Sequence, residues 1–411
     1  MSICVTYART PLLRPPEHER ERGPSVGHTE PSVEREPGRR PHICFVAPTA
    51  WPVLARSTAI PVVGGAEVQQ CFIARALVRR GFRVSMICHD YGQPDRSVVD
   101  GITVHRAYRP GDGLPVLRFV HPRITTMWQA LKHVGADVYY QRTADVLTTI
   151  VAMFCRTHDK RSIFAAASDM DFVPGREEIG LGRDRWIFRF GLRRMDHIVV
   201  QNPAQQRDCM RVYGRESTLI RSCYAPPGDA RANRGGYVLW VARMGPSKRP
   251  ELALEIARRL PQYRFVIVGG PGDGDDGAYR AIERAAAALP NVDLAGFVPY
   301  AEVDKYFDGA RVLLNTSQFE GFPNTFLQGW ARGIPNVAFV DTASCEDGEP
   351  VTSIARDTED AVARVERLMR DDLAWRDASQ RCLRYFRRVH SVDAMLLGYE
   401  HLLATLGRPS R

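Results

Sequence analysis

The chain has 411 residues, 44% of them apolar and 25% charged, and carries a formal net charge of +9. At about 100–200 residues per domain that is material for two cores. No run approaches the ~18 consecutive apolar residues of a membrane-spanning helix, and no basic stretch followed by an apolar run marks a secretory signal. The basic excess favours anionic partners, whether phosphates, nucleic acid or an anionic membrane surface, without choosing among them. Nine cysteines are scattered singly with no CxxC pair. Cys44, Cys71 and Cys88 sit inside apolar runs and read as small buried hydrophobes in a reducing, cytoplasmic setting.

Residues 1–41 hold seven prolines and six glutamates without apolar periodicity, and read as a disordered tail rather than a transit peptide. From His42 the pattern alternates. HICFVAP is a buried strand by length and composition. GGAEVQQCFIARALVRRG, Gly64 to Gly81, is a helix with a glycine stop. FRVSMICHD, GITVHRAY, ADVYYQR, RSIFAAAS and HIVVQN follow as strands, most of them parted by helical stretches. APPGDARANRGG, Ala225 to Gly236, is rich in turn formers and divides the chain. Beyond it the alternation repeats: strand YVLWVAR, helix ELALEIARRL, strand YRFVIVGG, helix GAYRAIERAAAAL, strand VDLAGFV, helix AEVDKYFDGA, strand RVLLNTS, helix NTFLQGWARG and strand NVAFVD. Three closing helices are expected over about 358–371, 372–386 and 391–406. Such alternation implies an α/β fold of two Rossmann-like, doubly wound parallel-sheet domains facing a central cleft. The expected division is 42–228, 229–390 and a terminal helix over 391–411 that returns to the first domain.

Two segments carry chemistry. In VARMGPSKRP, Arg243 and Lys248 flank a Gly-Pro turn between a strand and a helix, so both cations can converge on one anion. In FEGFPNTFLQGWARGIP, Glu320 precedes a glycine that permits close backbone approach, and Pro323 shapes the helix start. A carboxylate at Glu320 suits sugar hydroxyls, and the Gln328 amide suits ribose hydroxyls. Glycine turns that open helices, such as Gly64-Gly65, present free N–H groups and the positive end of the dipole to phosphate.

With these motifs in order, the chain resembles glycosyltransferase family 4, retaining enzymes of the GT-B fold, over about residues 42–400. Arg243 and Lys248 match the family's cationic pair. Glu320, Gly321, Phe322, Pro323 and Asn324 match its acidic motif, and Gly64, Gly65 and Glu67 its N-terminal turn. Gln328 stands where the family has a second acid, Ala242 and Arg249 where it has glycines, and Arg249 is expected to add a cation near the donor. The resemblance implies a nucleotide-diphosphate sugar as donor and a glycan, lipid-linked or small-molecule acceptor. It assigns Arg243, Lys248 and Glu320 to catalysis, and Gly64, Gly65, Gly321, Phe322, Pro323, Asn324, Thr325, Gln328 and Val298 to substrate binding. No cofactor and no metal are expected, because the two cations answer the charge of the leaving phosphate. The alternatives are a nucleotide-sugar epimerase and a non-catalytic nucleotide-sugar-binding protein on the same fold.

Three further signals are weaker. Asp169 and Asp171, in ASDMDF at a strand end, are candidates for acceptor contact, against helix-cap roles. LGRDRWIFRFGLRRM, Leu181 to Met195, places Arg185, Arg189 and Arg193 on one helical face and reads first as an ordinary amphipathic helix packed on the sheet, with peripheral contact with the inner membrane face as the alternative. GDGDDG, Gly272 to Gly277, fits the dinucleotide fingerprint in form, but its carboxylates would repel a pyrophosphate. No nucleic-acid module is found.

Overall fold

The computed structural model describes residues 40–57, 64–109, 112, 123–177, 179–226, 236–272 and 276–406. Residues 1–39 of the tail, 227–235 of the dividing loop and 273–275 of the GDGDDG segment lie outside them.

The first half runs β1 (Ile43–Val46), α1 (Trp51–Leu54), α2 (Gly65–Arg79), β2 (Val84–Cys88), β3 (Arg96–Val99), β4 (Ile102–Arg106), α3 (Thr125–Val134), β5 (Val138–Arg142), α4 (Leu147–Thr157), β6 (Arg161–Ala165), α5 (Gly182–Leu192), β7 (His197–Val200), α6 (Pro203–Tyr213) and β8 (Thr218–Leu219). Its eight strands lie in the order β3-β4-β2-β1-β5-β6-β7-β8. All neighbours are parallel except β3 and β4. That hairpin turns on Asp100 and Gly101 at φ of 51° and 78°, the left-handed pair a two-residue turn demands. Central strands such as ICFV and VSMIC are buried at every position, as expected where helices cover both faces.

The second half runs β9 (Tyr237–Val241), α7 (Pro250–Arg259), β10 (Arg264–Val268), α8 (Asp276–Ala287), β11 (Val292–Gly296), α9 (Tyr300–Asp308), β12 (Ala310–Asn315), α10 (Asn324–Trp330), β13 (Asn336–Ala338), the short hairpin β14 (Cys345–Glu346) and β15 (Glu349–Pro350), β16 (Ser353–Ile354), α11 (Thr358–Arg370), α12 (Asp372–Tyr385) and α13 (Val392–Leu406). Its parallel sheet has the order β11-β10-β9-β12-β13-β16. Numbered within the sheet this is 3-2-1-4-5-6, the doubly wound order, which reverses direction between β9 and β12. The first sheet reverses between β1 and β5 in the same way.

The final helix crosses back. Met395, Leu396, Tyr399, Leu402, Leu403 and Leu406 of α13 share one apolar cluster with Ile43, Phe45 and the inner face of α2. At roughly 1.5–3 kcal/mol per fully buried large apolar side chain, that cluster ties the chain's end firmly to its beginning. Of the described cysteines, seven are buried and Cys345 is exposed, all as free thiols. No described helix is long and apolar enough to cross a membrane.

Candidate active site

In doubly wound sheets ligands bind outside the carboxyl ends of the strands, where the order reverses. The second sheet puts both of its chemical motifs there, since one follows β9 and the other β12. Their loops are stitched together. The Trp240 indole donates to the Thr316 hydroxyl at 2.8 Å, that hydroxyl lies 2.6 Å from the Lys248 carbonyl, and the Gln318 backbone N–H donates to the Ser247 carbonyl at 2.8 Å. On this frame Lys248 Nζ meets Glu320 Oε1 at 2.5 Å, and Ser317 donates its hydroxyl to the same oxygen at 2.6 Å. Lys248 and Glu320 keep side-chain exposures of 27% and 16%, so an entering ligand can reach both. Arg243 is exposed just past the end of β9.

Arg249 departs from expectation. Its φ is 50°, which explains why the family places glycine there. Its guanidinium folds inward, with Nε donating to the Thr316 carbonyl at 2.6 Å and the group lying 4.9 Å over the Phe339 ring. It braces the loop from within, with its guanidinium on main-chain carbonyls.

The two halves meet through the remaining motif residues. A Cβ on Gly321 would stand 2.6 Å from the Ala167 carbonyl oxygen and 3.0 Å from Ser168 Cα, so only glycine lets the acidic loop seat on the end of β6. Asn324 spans the same boundary. Its Nδ2 donates to the Gly65 carbonyl at 3.1 Å, and its Oδ1 accepts from Gln69 at 2.9 Å. Gln69 also holds both the N–H and the C=O of Cys223, at 3.0 and 2.8 Å. A Cβ on Gly64 would collide with the Glu67 carboxylate, which folds back over the start of α2 and accepts from Thr49 at 2.5 Å. At Gly64 and Gly65 a Cβ would meet only the movable ends of the Glu67 and Asn324 side chains, so it would displace those groups and not the backbone.

One expected contact is turned elsewhere. Gln328 is buried, and its amide donates to Asp304 Oδ1 at 3.3 Å. The Tyr224 hydroxyl, at 2.5 Å, and Arg332, at 3.1 Å, converge on the same carboxylate oxygen. The amide is therefore spent inside the protein, where a second carboxylate beside Asp304 would be repelled. Phe322 packs its ring 4.8 Å from that of His390, Pro323 caps α10, Thr325 is half-buried in its first turn, and Val298 packs at the edge of the second core.

Asp171 is buried, and its Oδ2 accepts from the N–H groups of Ala167 and Ser168 at 2.7 and 3.1 Å. It belongs to a capping box that shapes the turn under Gly321, so it faces inward and not toward an acceptor. Asp169 accepts from Asn202 and Gln205 at 2.9 and 2.8 Å. Burial raises its pKa, and those two hydrogen bonds oppose the rise. Sequence reasoning missed Ser317, Thr316 and Gln69. The first two sit in the NTS that closes a strand, a visible cue, but Gln69 lies mid-helix and gave no sign.

Comparison with known proteins agrees with this architecture. A family model described as Glycosyltransferase Family 4 matches residues 63–228, and one described as Glycosyl transferases group 1 matches residues 235–371. The chain is similar to the D-inositol 3-phosphate glycosyltransferase of Mycobacterium leprae, 31% identical over 123 residues. The matched stretch spans 27% of this chain and 29% of that relative's length. Among solved structures it is similar to sucrose-phosphate synthase from Thermosynechococcus elongatus, with a TM-score of 0.69 and 19% identity over 89% of this chain and 99% of that one. It is also similar to an α,α-trehalose-phosphate synthase (UDP-forming) from Burkholderia xenovorans solved with glucose-6-phosphate, with a TM-score of 0.65 and 13% identity over 89% and 100%. At such identities the structural likeness is one of fold. The two family models between them take in all three motifs and every strand of the two parallel-stranded sheets except β1, and the chain belongs to the family 4 type of glycosyltransferases.

Proposed function

We propose that this protein transfers a sugar, with retention, from a nucleotide-diphosphate sugar to an acceptor hydroxyl. The observation that carries the reading is the 2.5 Å pair of Lys248 and Glu320 at the reversal point of the second sheet. When the donor enters, Lys248 exchanges the carboxylate for a phosphate oxygen, and Glu320 is released to accept from the donor sugar's hydroxyls. Breaking the glycosidic bond leaves an oxocarbenium-like sugar and puts negative charge on the departing phosphate oxygen. Lys248 and Arg243 stabilise that charge more as it grows, which is the condition for accelerating the step. The acceptor hydroxyl attacks the anomeric carbon as the bond to phosphate breaks, and its proton passes to the departing phosphate. With the charge answered by side chains, the reaction needs no divalent ion, and EDTA should leave the rate unchanged.

The test is incubation with UDP-sugars and the other common nucleotide sugars. Release of the nucleoside diphosphate, by transfer or slow hydrolysis, supports the reading. Interconversion of the sugar without release would make the protein an epimerase, and tight binding with neither would make it a binding protein.

Peripheral contact with the inner face of a membrane is a second reading, favoured by one observation. Trp186 of α5 is 66% exposed and stacks on Phe190, and Leu181 at the start of the same helix is 59% exposed. Arg189 is not part of that face, since it pairs with the buried Glu177 at 2.6 Å. Sedimentation with anionic liposomes checks it, and salt-insensitive or absent binding ends it.

A further inference from the structure

The first sheet has its own reversal point, between β1 and β5, and the residue that closes β5 there is Arg142. It is 8% exposed. A guanidinium stays charged at any ordinary pH, so burying one is costly unless an anion faces it. The other buried arginines satisfy this rule. Arg311 pairs with Asp372 at 2.7 Å, and Arg332 with Asp304 and Asp308 at 3.1 and 2.7 Å. Among the described residues no carboxylate lies within ion-pair distance of Arg142. Its Nη1 donates to the Tyr140 hydroxyl over a long 3.5 Å, and its Nε is buried without a partner.

The backbone beside it is strained. Thr143, a β-branched residue, has a φ of 80°. Such a conformation is unfavourable for a β-branched side chain and persists only where its surroundings over-determine it. Gln141 does so by donating to the carbonyls of Arg142 and Thr143 at 2.9 and 2.7 Å, while its own carbonyl accepts from Thr148 at 2.9 Å. Behind the guanidinium, Tyr140 and Tyr399 of α13 place their hydroxyls 3.2 Å apart. The charge of Arg142 acts on the Cys223 thiol and the Tyr399 phenol, lowering the pKa of each against the rise that burial causes.

We propose that Arg142 anchors the acceptor by a phosphate group which the acceptor carries. This rests on the donor reading above, which gives the donor's diphosphate to Arg243 and Lys248 on the second sheet and leaves the first sheet's reversal point to the acceptor. The edge of the guanidinium that bears Nε can present two N–H groups to two oxygens of one phosphate. Arg142 is then a specificity-determining residue that selects phosphorylated over plain acceptors.

The experiment uses the full chain saturated with UDP, with thermal stability followed during titration with inorganic phosphate, glucose 6-phosphate, short-chain phosphatidylinositol and acetate. The wild type should be stabilised further by inorganic phosphate and not by acetate. Whichever ester acts at lower concentration tells a soluble acceptor from a lipid-borne one. In Arg142→Gln the concentration of phosphate needed should rise at least about tenfold, with Arg142→Lys between, while the stabilisation by UDP persists and shows that the variant is folded. An equal phosphate response in Arg142→Gln, no response in the UDP-bound wild type, or a response to acetate that matches phosphate overturns the assignment. Loss of the UDP response in Arg142→Gln would place Arg142 on the donor and overturn it too. A wild type that UDP does not stabilise defeats the donor reading first, and this inference with it.

Discussion

The two sheets reverse their strand order in the same way and answer charge in opposite ways. At the second reversal point Lys248 is half-exposed and already paired with Glu320 at 2.5 Å. At the first, Arg142 is buried and has no described carboxylate within ion-pair distance. A paired, accessible cation can trade partners with a ligand at little cost, because each charge stays compensated throughout. A buried cation has no in-house substitute and is compensated only when its ligand arrives. The first arrangement suits a group that departs in every turnover, and the second suits a group that must be chosen.

The largest expected effect falls on the exchanging pair. Lys248→Ala should lower turnover by about 10²–10³, or roughly 2.7–4 kcal/mol, as for a lost oxyanion donor. Steady-state kinetics checks it, and a near-normal rate would remove Lys248 from catalysis and with it one side of the contrast.

Next comes the seat between the halves. In Gly321→Ala the new Cβ would lie 2.6 Å from a backbone oxygen, which cannot rotate away as a side-chain tip could. Overpacking of this kind costs about 1–3 kcal/mol. Calorimetry should show a lower Tm, and small-angle scattering a larger radius of gyration as the halves part. If both stay at wild-type values, the acidic loop and the turn after β6 are not in contact in solution, and the two reversal points do not face a common gap.

A buried histidine tests the joint that holds both points in place. His390 Nδ1 lies 2.7 Å from the Ser222 carbonyl, and burial lowers its pKa from 6.5 to about 3. Between those values the unfolded chain takes up a proton that the native protein refuses. Stability is therefore fully present above pH 6.5 and falls as the pH drops toward 3, by up to about 1.4 kcal/mol per unit for this site. His89 and His105, both lowered to about 4 by burial, add to the trend. His390→Phe should flatten the slope of unfolding free energy between pH 4 and 6 by up to one proton in urea titrations. An unchanged slope would mean that His390 titrates freely and the joint is looser than drawn.

Much of this was legible in the sequence, for physical reasons. Runs such as HICFVAP and RVLLNTS are apolar at consecutive positions because both faces of a parallel strand are covered, and the motifs placed Lys248 and Glu320 each just past the end of a strand, though not that the two strands are neighbours. What escaped depends on exposure or on distant placement. β3 alternates exposed and half-buried residues and so lacks an apolar run, although Asp100-Gly101 is a hairpin signal. β14, β15 and β16 have two residues each, too few for any period to show. Gln328 and Asn324 could be read as ligand contacts because nothing local says that Asp304 and Gly65 await them. Arg142 ends the apolar ADVYYQR, where it passed as a strand's polar edge, and only the missing counter-ion distinguishes it.

The smallest expected effect concerns a cation that sequence reasoning put on the wrong side. Arg249→Gly relieves a left-handed backbone worth about 1–2 kcal/mol. It also gives up the hydrogen bonds to Thr316 and Ser317, roughly 0.5–1.5 kcal/mol each, and the contact over Phe339, about 0.5–1 kcal/mol. These terms largely offset, so Tm should move by only a few degrees. Because the guanidinium addresses main-chain carbonyls within the loop, no charge is withdrawn from the gap, and the Kd for UDP by isothermal titration should change by less than about threefold, under 1 kcal/mol. A tenfold weaker Kd at an unchanged Tm would place Arg249 beside Lys248 on the donor. The second reversal point would then hold a cation in excess of its carboxylate. In that event the contrast with Arg142 would be one of degree, since both sheets would await an anion that the chain itself does not supply.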